Sequence, residues 1–248
     1  MRDWLHPAAL ALRFLSRLSP PGEQMDRFAG DLPRALAFFP LVGGVLGGIT
    51  ALVLLAAGQV FPLYLAVVIA LAFDAWLTRG LHEDAVADLC DGLGGGRTPE
   101  DVLRIMKDSR IGAFGALALG FAVALRGAGL VALEDPVRVA LVLVVAGAVA
   151  RLMMLAVLWR VPALPGMGAR FAAAMDGRRF VQALVFASPA LLLGGVPGAV
   201  LPAAVACGAF FLWYRGLLLR RLGGSTGDAM GAAGYAGLVI TTLAFAAW

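Results

Sequence analysis

The sequence is poor in the groups that soluble proteins spread over their surfaces. Only 15% of its 248 residues are charged, Lys107 is its single lysine, and it holds two histidines and two cysteines. An ordinary soluble domain carries about 25% charged residues, so that class is excluded. Cys90 and Cys207 cannot supply a disulfide framework or a cysteine metal site, and each reads as a small buried side chain. The scarcity of lysine leaves arginine to carry the net charge of +4. In an apolar chain such an excess fixes topology and meets anionic headgroups, which gives no argument for a nucleic-acid partner. Sequence repeats and low-complexity tails are also missing, so residues 1–248 read as one domain.

What is present is apolar. Hydrophobic residues make up 61% of the chain and the mean hydropathy is +0.88. That predicts an all-α, polytopic integral membrane helical bundle of about seven transmembrane helices at roughly 20 residues each. The expected spans are Ala35–Gly58, Phe61–Thr78, Ala113–Leu133, Val137–Trp159, Val181–Leu193, Ala199–Trp213 and Gly231–Trp248. Before them, Met1–Leu18 sets Leu5, Ala8, Ala9, Leu12 and Leu15 on one face, with Arg2, Arg13 and Arg17 among the polar remainder. This suits an interfacial helix better than a cleaved signal peptide. Ser19-Pro20-Pro21-Gly22 breaks it, and Asp26–Arg34 is a polar approach to the bilayer. Gly43-Gly44 and Gly47-Gly48, four apart, predict a seam of close helix contact. Asp74 lies one turn before the next polar interval, suited either to supporting a site or to interfacial solvation. Arg126 and Arg151 each interrupt an expected span.

Basic residues concentrate in the amino-terminal segment and in three polar intervals, at about residues 79–110, 160–179 and 215–221. The positive-inside rule places all of these in the cytoplasm. Every chemically rich stretch then meets at one face of a bacterial inner membrane.

The richest stretch is Leu81–Ile111, LHEDAVADLCDGLGGGRTPEDVLRIMKDSRI. On a helix Asp84, Asp88 and Asp91 fall within a sector of roughly 60°. Three carboxylates on one face call for a cation, and hard oxygen ligands favour Mg2+, with Mn2+ the alternative. The rise of about 10 Å from Asp84 to Asp91 is too long for one ion to touch all three. Two ions about 4 Å apart, with Asp88 between them, fit better. His82 points away from the aspartate face on an ideal helix, and no second histidine follows at zinc-protease spacing. Gly92 and Gly94-Gly95-Gly96 would let backbone approach a phosphate. Lys107-Asp108-Ser109-Arg110 reads either as a helix end or as a phosphate clamp. Gly223-Gly224-Ser225-Thr226-Gly227-Asp228 offers backbone N–H groups to an anion, followed by an acid. Together the three motifs point to phosphoryl or nucleotidyl transfer on an amphiphilic substrate.

LHEDAVADLCDGLGG, RIMKDSRIGAFGALAL and RRLGGSTGDAMGA strongly resemble the cobalamin synthase family of membrane adenosylcobinamide-GDP ribazoletransferases. Ser16-Arg17-Leu18 and Phe39-Pro40-Leu41-Val42-Gly43 extend the resemblance over nearly the whole chain. It implies Mg2+-dependent joining of a GDP-activated corrinoid to alpha-ribazole or its 5′-phosphate, with GMP leaving. The family pattern carries over onto His82, Asp84, Asp88 and Asp91, onto Asp108, Ser109, Arg110 and Gly112, and onto Gly223, Gly224, Thr226, Gly227 and Asp228. The implied roles are metal binding for Asp84, Asp88 and Asp91 and catalysis for Asp108, His82 and Arg110. Lys107, Ser109, Gly223, Gly224, Thr226, Gly227 and Asp228 would bind substrate. Asp108 and His82 are the two candidates for general base. Ala85 departs from a usual glycine, and Phe114 from a position expected to be more polar.

Rival readings are weaker. A CDP-alcohol phosphotransferase also clusters aspartates on membrane helices, but expects an arginine where Asp88 follows Ala87. Prenyl transfer to an aromatic ring is a third enzyme reading. A cation-coupled transporter expects acids near mid-span and matching halves. A homo-oligomer is compatible with the sequence.

Overall fold

A computed structural model describes residues 2–18, 28–193 and 197–248. The expected break at Ser19–Gly22, the first two residues of the polar approach (Asp26 and Arg27) and the glycine turn at 194–196 lie outside the described residues. Among the described residues eleven helices follow in order: α1 Arg2–Leu15, α2 Phe28–Ala57, α3 Leu63–Leu77, α4 Leu81–Gly95, α5 Pro99–Ile105 and α6 Ala113–Val131. Then come α7 Pro136–Arg160, α8 Met167–Ala173, α9 Gly177–Leu193, α10 Pro197–Arg221 and α11 Gly227–Ala246. Among the described residues there is no strand, only an isolated bridge between Ala163 and Ser225. The all-α membrane bundle expected from composition is the fold observed.

All seven expected spans are helical, and they differ in length. Five stretches are long and apolar enough to cross a membrane: Asp31–Ala57, Ala113–Val131, Pro136–Arg160, Ala199–Arg221 and Gly227–Ala246. A helix of 15 residues, as in α3, rises only about 22 Å against a hydrocarbon core of about 30 Å. The pair α3 and α4 qualifies jointly but bends by 85°, giving up to six crossings. Helix α9, with 17 residues and an internal Pro189, falls short.

The 85° bend has a local cause. Arg79 and Gly80 both take left-handed backbone, φ +62° and +64°. The N–H of Gly80 reaches back to the Ala75 carbonyl at 2.7 Å, which closes α3 in a Schellman turn. Arginine in the position usually given to glycine costs about 1 kcal/mol.

Helix α7 runs through the centre, and α2 crosses it closely. A side chain on Gly43 would fall on the Gly147 carbonyl, and one on Gly47 on the Leu143 carbonyl, so the glycine seam is real. At the amino terminus the buried residues of α1 are Pro7, Leu10, Ala11 and Leu15, whereas Leu5 is 71% exposed. The apolar face is therefore rotated from the one the sequence suggested; Phe14 stacks on Phe39 and meets Phe171 in a tilted ring contact. Just beyond α1, the Arg17 backbone N–H donates to the Leu77 carbonyl and its Nε to the Trp76 carbonyl. These contacts fasten the amino-terminal helix to the end of α3.

Arg126 and Arg151 interrupt their helices without breaking them. Arg126 pairs with Asp74 at 2.9 Å deep in the bundle, and Thr50 donates to the same carboxylate at 3.1 Å. Asp74 is thus neither solvated at the interface nor part of the acid row on α4. It is the counter-ion of a buried arginine, which is how such a charge is tolerated among apolar helices.

Candidate active site

Helix α4 carries the aspartates and is held at its carboxyl end and along its length. At its carboxyl end Nη2 of Arg221 donates to the carbonyls of Leu93 and Gly96 at 2.8 and 2.9 Å, satisfying groups that a helix terminus leaves open. Along its length Gly231 packs on Ala85, which is why a small side chain suffices there. Gly92 and Gly96 are pressed against Val102 of α5, so these glycines permit close helix packing. Helix α5 was hidden in the polar interval. Its signal was present: the Thr98 hydroxyl caps the Asp101 N–H at 3.2 Å and Pro99 takes the first turn.

The acids form a row. Asp88 feels the charges of Asp84, Asp228 and Asp91, and Asp228 feels that of Asp84. Asp228 brings the third motif to the first, as the sequence motifs implied. Asp91 behaves differently from the others. Its two carboxylate oxygens accept from the N–H groups of Gly112 and Gly115 at 2.6 and 2.7 Å, capping α6. A carboxylate there suits the positive end of the helix. Among the described residues no three His, Cys, Asp or Glu side chains converge on one metal position.

One end of the row opens on a cavity of about 460 Å³. Lys107, Thr226 and Asp228 supply its polar groups, and Phe14, Met154 and Phe171 are among its apolar walls. The other end reaches a second depression holding Asp91, Asp108, Arg110 and Gly112. Asp108 and Arg110 pair there, with Nη2 to Oδ2 at 2.6 Å and Nε to Oδ1 at 3.0 Å. This guanidinium holds the Asp108 carboxyl at about 2, below the usual carboxylate value. Ser109 is exposed between Asp108 and Arg110. The phosphate-clamp segment therefore splits, with Lys107 facing the main cavity and Asp108 and Arg110 facing the depression.

The third motif is a rigid turn. The Ser225 N–H donates to the Pro162 carbonyl at 2.8 Å, and the Leu164 N–H to the Ser225 carbonyl at 2.9 Å. Gly223 has φ +75°, and a side chain on Gly224 would meet the Pro162 carbonyl. The Thr226 hydroxyl then caps α11 at the Ala229 N–H, 3.1 Å away, leaving Gly227 and Asp228 in the first turn at the cavity. Gly168 at the start of α8 lies against Gly227, so α8 closes one side.

His82 stands apart from these groups. It is buried at 2% exposure, neither ring nitrogen has a partner, and its charged neighbours are Arg151 and Arg126. It lines neither the main cavity nor the depression. The contributions of Arg221, Phe14 and Phe171 carried no sequence signal, since an arginine closing an apolar helix and a phenylalanine on an amphipathic one are ordinary.

A row of acids between two recesses, in a bundle of helices apolar enough to cross a membrane, makes the candidate site of a membrane-embedded transferase. Residues 7–246 match the model of the cobalamin-5-phosphate synthase family, and the chain belongs to that family. A relative from Leptothrix cholodnii is 38% identical over 94% of this chain and 93% of its own. One from Syntrophobacter fumaroxidans is 42% identical over 82% of each, and one from Bradyrhizobium diazoefficiens is 35% identical over 100% of this chain and 96% of its own. Each of the three is named adenosylcobinamide-GDP ribazoletransferase. No solved structure matches the chain significantly.

Proposed function

We propose that the chain joins GDP-activated adenosylcobinamide to alpha-ribazole, or to its 5′-phosphate, releasing GMP and completing the lower nucleotide loop of the corrinoid. Family membership supports the reaction class, and the observation that carries it to this site is the carboxylate row with Lys107 at one end and Arg110 at the other. A ribose hydroxyl attacks the corrinoid-side phosphorus of the diphosphate. A new O–P bond forms, the bridging P–O bond breaks, and the hydroxyl proton passes to a base while GMP takes up the leaving charge. Charge grows on the bridging and leaving oxygens, where Lys107 and Arg110 are the available cations and the N–H groups at the start of α11 the available dipoles. Asp108 is the base candidate that borders a recess.

The acids fit Mg2+ of the substrate-carried kind. This ion is usually held by one or two carboxylates with phosphate oxygens and water completing the shell, so convergence of three protein ligands is not required. Asp88, with either Asp84 or Asp228 beside it, would hold it, while Asp91 shapes the site through α6. Bound there, the cation would neutralise phosphate charge and polarise the phosphoryl group. The positive-inside distribution supports a cytoplasmic site in a bacterial inner membrane.

The test is direct. Purified protein with Mg2+, GDP-activated cobinamide and alpha-ribazole should release GMP and yield the joined corrinoid. GMP formation that needs no ribazole, or release of GDP instead, would overturn the assignment.

A further inference from the structure

The main cavity is polar on two short segments and apolar everywhere else. Among the described residues that line it, only Lys107 after α5 and Thr226 and Asp228 at the start of α11 carry polar side chains. The Thr226 hydroxyl is already engaged as a helix cap. Phe14 of α1, Leu103 of α5 and Leu164 before α8 line the apolar part and are half-buried, so a ligand can reach them. The Phe14 ring is held in place by Phe39 at 5.7 Å and Phe171 at 4.9 Å between ring centroids. The cavity thus offers a fixed aromatic ring and an apolar wall beside the reacting groups.

The proposed reaction brings three bodies to the site, and their chemistry separates them. The corrinoid macrocycle with its amide arms is too large for a cavity of about 460 Å³. Guanine carries donors and acceptors along its edge, and burying them against apolar side chains leaves them unpaired. Lys107 and Asp228 could meet part of that edge, but both are assigned to phosphate and cation. The depression suits guanine better, since the Asp108 and Arg110 side chains are 39% and 86% exposed there. The third body is the acceptor. Its base is a benzimidazole with two methyl groups, flat and apolar at the edge with one acceptor nitrogen, so it loses little on entering an apolar cavity.

We propose that this cavity seats the aromatic base of the nucleoside acceptor and selects it by stacking and shape. Phe14 is the specificity-determining ring, and Leu103 sets the room beside it. The base enters the apolar part while its ribose stays with Lys107 and Asp228 at the acid row. This rests on the reaction proposed above, which supplies the acceptor. It also gives the amino-terminal helix a part in choosing the substrate, beyond its packing on α2.

Equilibrium dialysis of alpha-ribazole against the full chain in detergent, with empty micelles as the blank and no corrinoid present, reads the cavity without turnover. The parent protein should bind alpha-ribazole about 10- to 100-fold more tightly than the matching alpha-riboside of adenine, whose amine finds no partner. Phe14→Leu should weaken alpha-ribazole binding about 10-fold, the scale of one lost stacking contact on a base. Phe14→Tyr keeps the ring face and should bind like the parent. Leu103→Trp fills the cavity from the half-exposed side of α5 and should weaken binding at least 10-fold with thermal unfolding unchanged. In turnover, Phe14→Leu should raise the KM for the acceptor and leave that for the GDP-activated corrinoid alone. Equal affinity for the two ribosides would overturn the proposal, as would parental binding by both Phe14→Leu and Leu103→Trp. Selective alpha-ribazole binding without GMP release would sink the reaction and uphold the seat; GMP release with unselective acceptor binding would do the reverse.

Discussion

His82 and Asp84 stand two residues apart on α4 and meet opposite surroundings. On one side His82 and Glu83 turn into the bundle, towards Arg126, Arg151 and Asp74, where charges neutralise one another without solvent. On the other, Asp84 is exposed and Asp88 partly so, in a row that gathers like charge. The inner side spends its charges on holding the helices in register. The outer side keeps carboxylates near one another without neutralising them, an arrangement that is unfavourable unless a cation or a cationic substrate group arrives. Pairing separates the two sides more than burial does, since Asp91 is also buried yet is satisfied by backbone N–H groups. This difference predicts which substitutions harm the fold and which harm only the chemistry.

The largest effect belongs to the inner side. Arg126→Ala leaves Asp74 buried without its counter-ion, a change that costs about 3–5 kcal/mol. Thermal unfolding in detergent should show a protein barely folded or absent from the membrane fraction. Replacing both partners by leucine should recover much of the loss, because two apolar groups leave no orphaned charge. If Arg126→Ala unfolds like the parent protein, the inner cluster is not a structural ion pair and the contrast between the sides collapses.

On the outer side the order of effects reverses. Asp88→Asn removes one like charge from the row, so thermal stability should hold or rise slightly. Turnover should fall by about 100-fold or more, the size of loss when one stabilising group is removed from a transition state. Near-normal GMP release by Asp88→Asn at ordinary Mg2+ concentrations would remove the acid row from the reaction.

The sequence made the outer side legible and the inner side nearly opaque. Asp84, Asp88 and Asp228 could be found because acids are rare in an apolar chain and recur at helical spacing or after a glycine turn. The glycine seam of α2 was legible for the same reason, since spacing alone predicts close approach. Arg126 and Arg151 were visible only as interruptions, because nothing local names the partner of a residue 52 positions away, as Asp74 is from Arg126. Asp91 was grouped with the metal row on angular position, yet its oxygens cap α6, a long-range contact that periodicity cannot express. Hydropathy also does not express the Schellman turn at Arg79 that stops α3 after 15 residues.

A smaller effect tests the depression. Arg110→Lys keeps the charge but loses the planar fork proposed to meet the diphosphate, and should lower turnover by about 10- to 1000-fold. Arg104 is the matched control: it too pairs with a nearby acid, Asp101 at 3.3 Å, but touches neither recess. Arg104→Lys should leave turnover and stability close to unchanged, as exposed ion pairs contribute little. Equal and small losses at both positions would move the anion site to Lys107 and the Gly223–Asp228 turn.

The smallest effect concerns Asp108 alone. The Arg110 guanidinium, through its side-chain bond, holds this carboxyl at about 2. A depressed value means that any stabilisation from the pair is present above the ordinary carboxylate range and is lost only as pH falls through about 2. Both groups are exposed, so unfolding should show almost no trace of it. Titration can be read instead by carbon NMR on a sample labelled at aspartate. In the parent protein the Asp108 carboxyl should stay ionised down to about pH 3, and in Arg110→Gln it should return towards the ordinary aspartate value near 3.9. A parent carboxyl that already titrates at the ordinary value would mean that Arg110 does not engage Asp108 in solution. The guanidinium would then be free to meet an anion unaided, and Asp108→Asn should sharpen substrate affinity rather than weaken turnover.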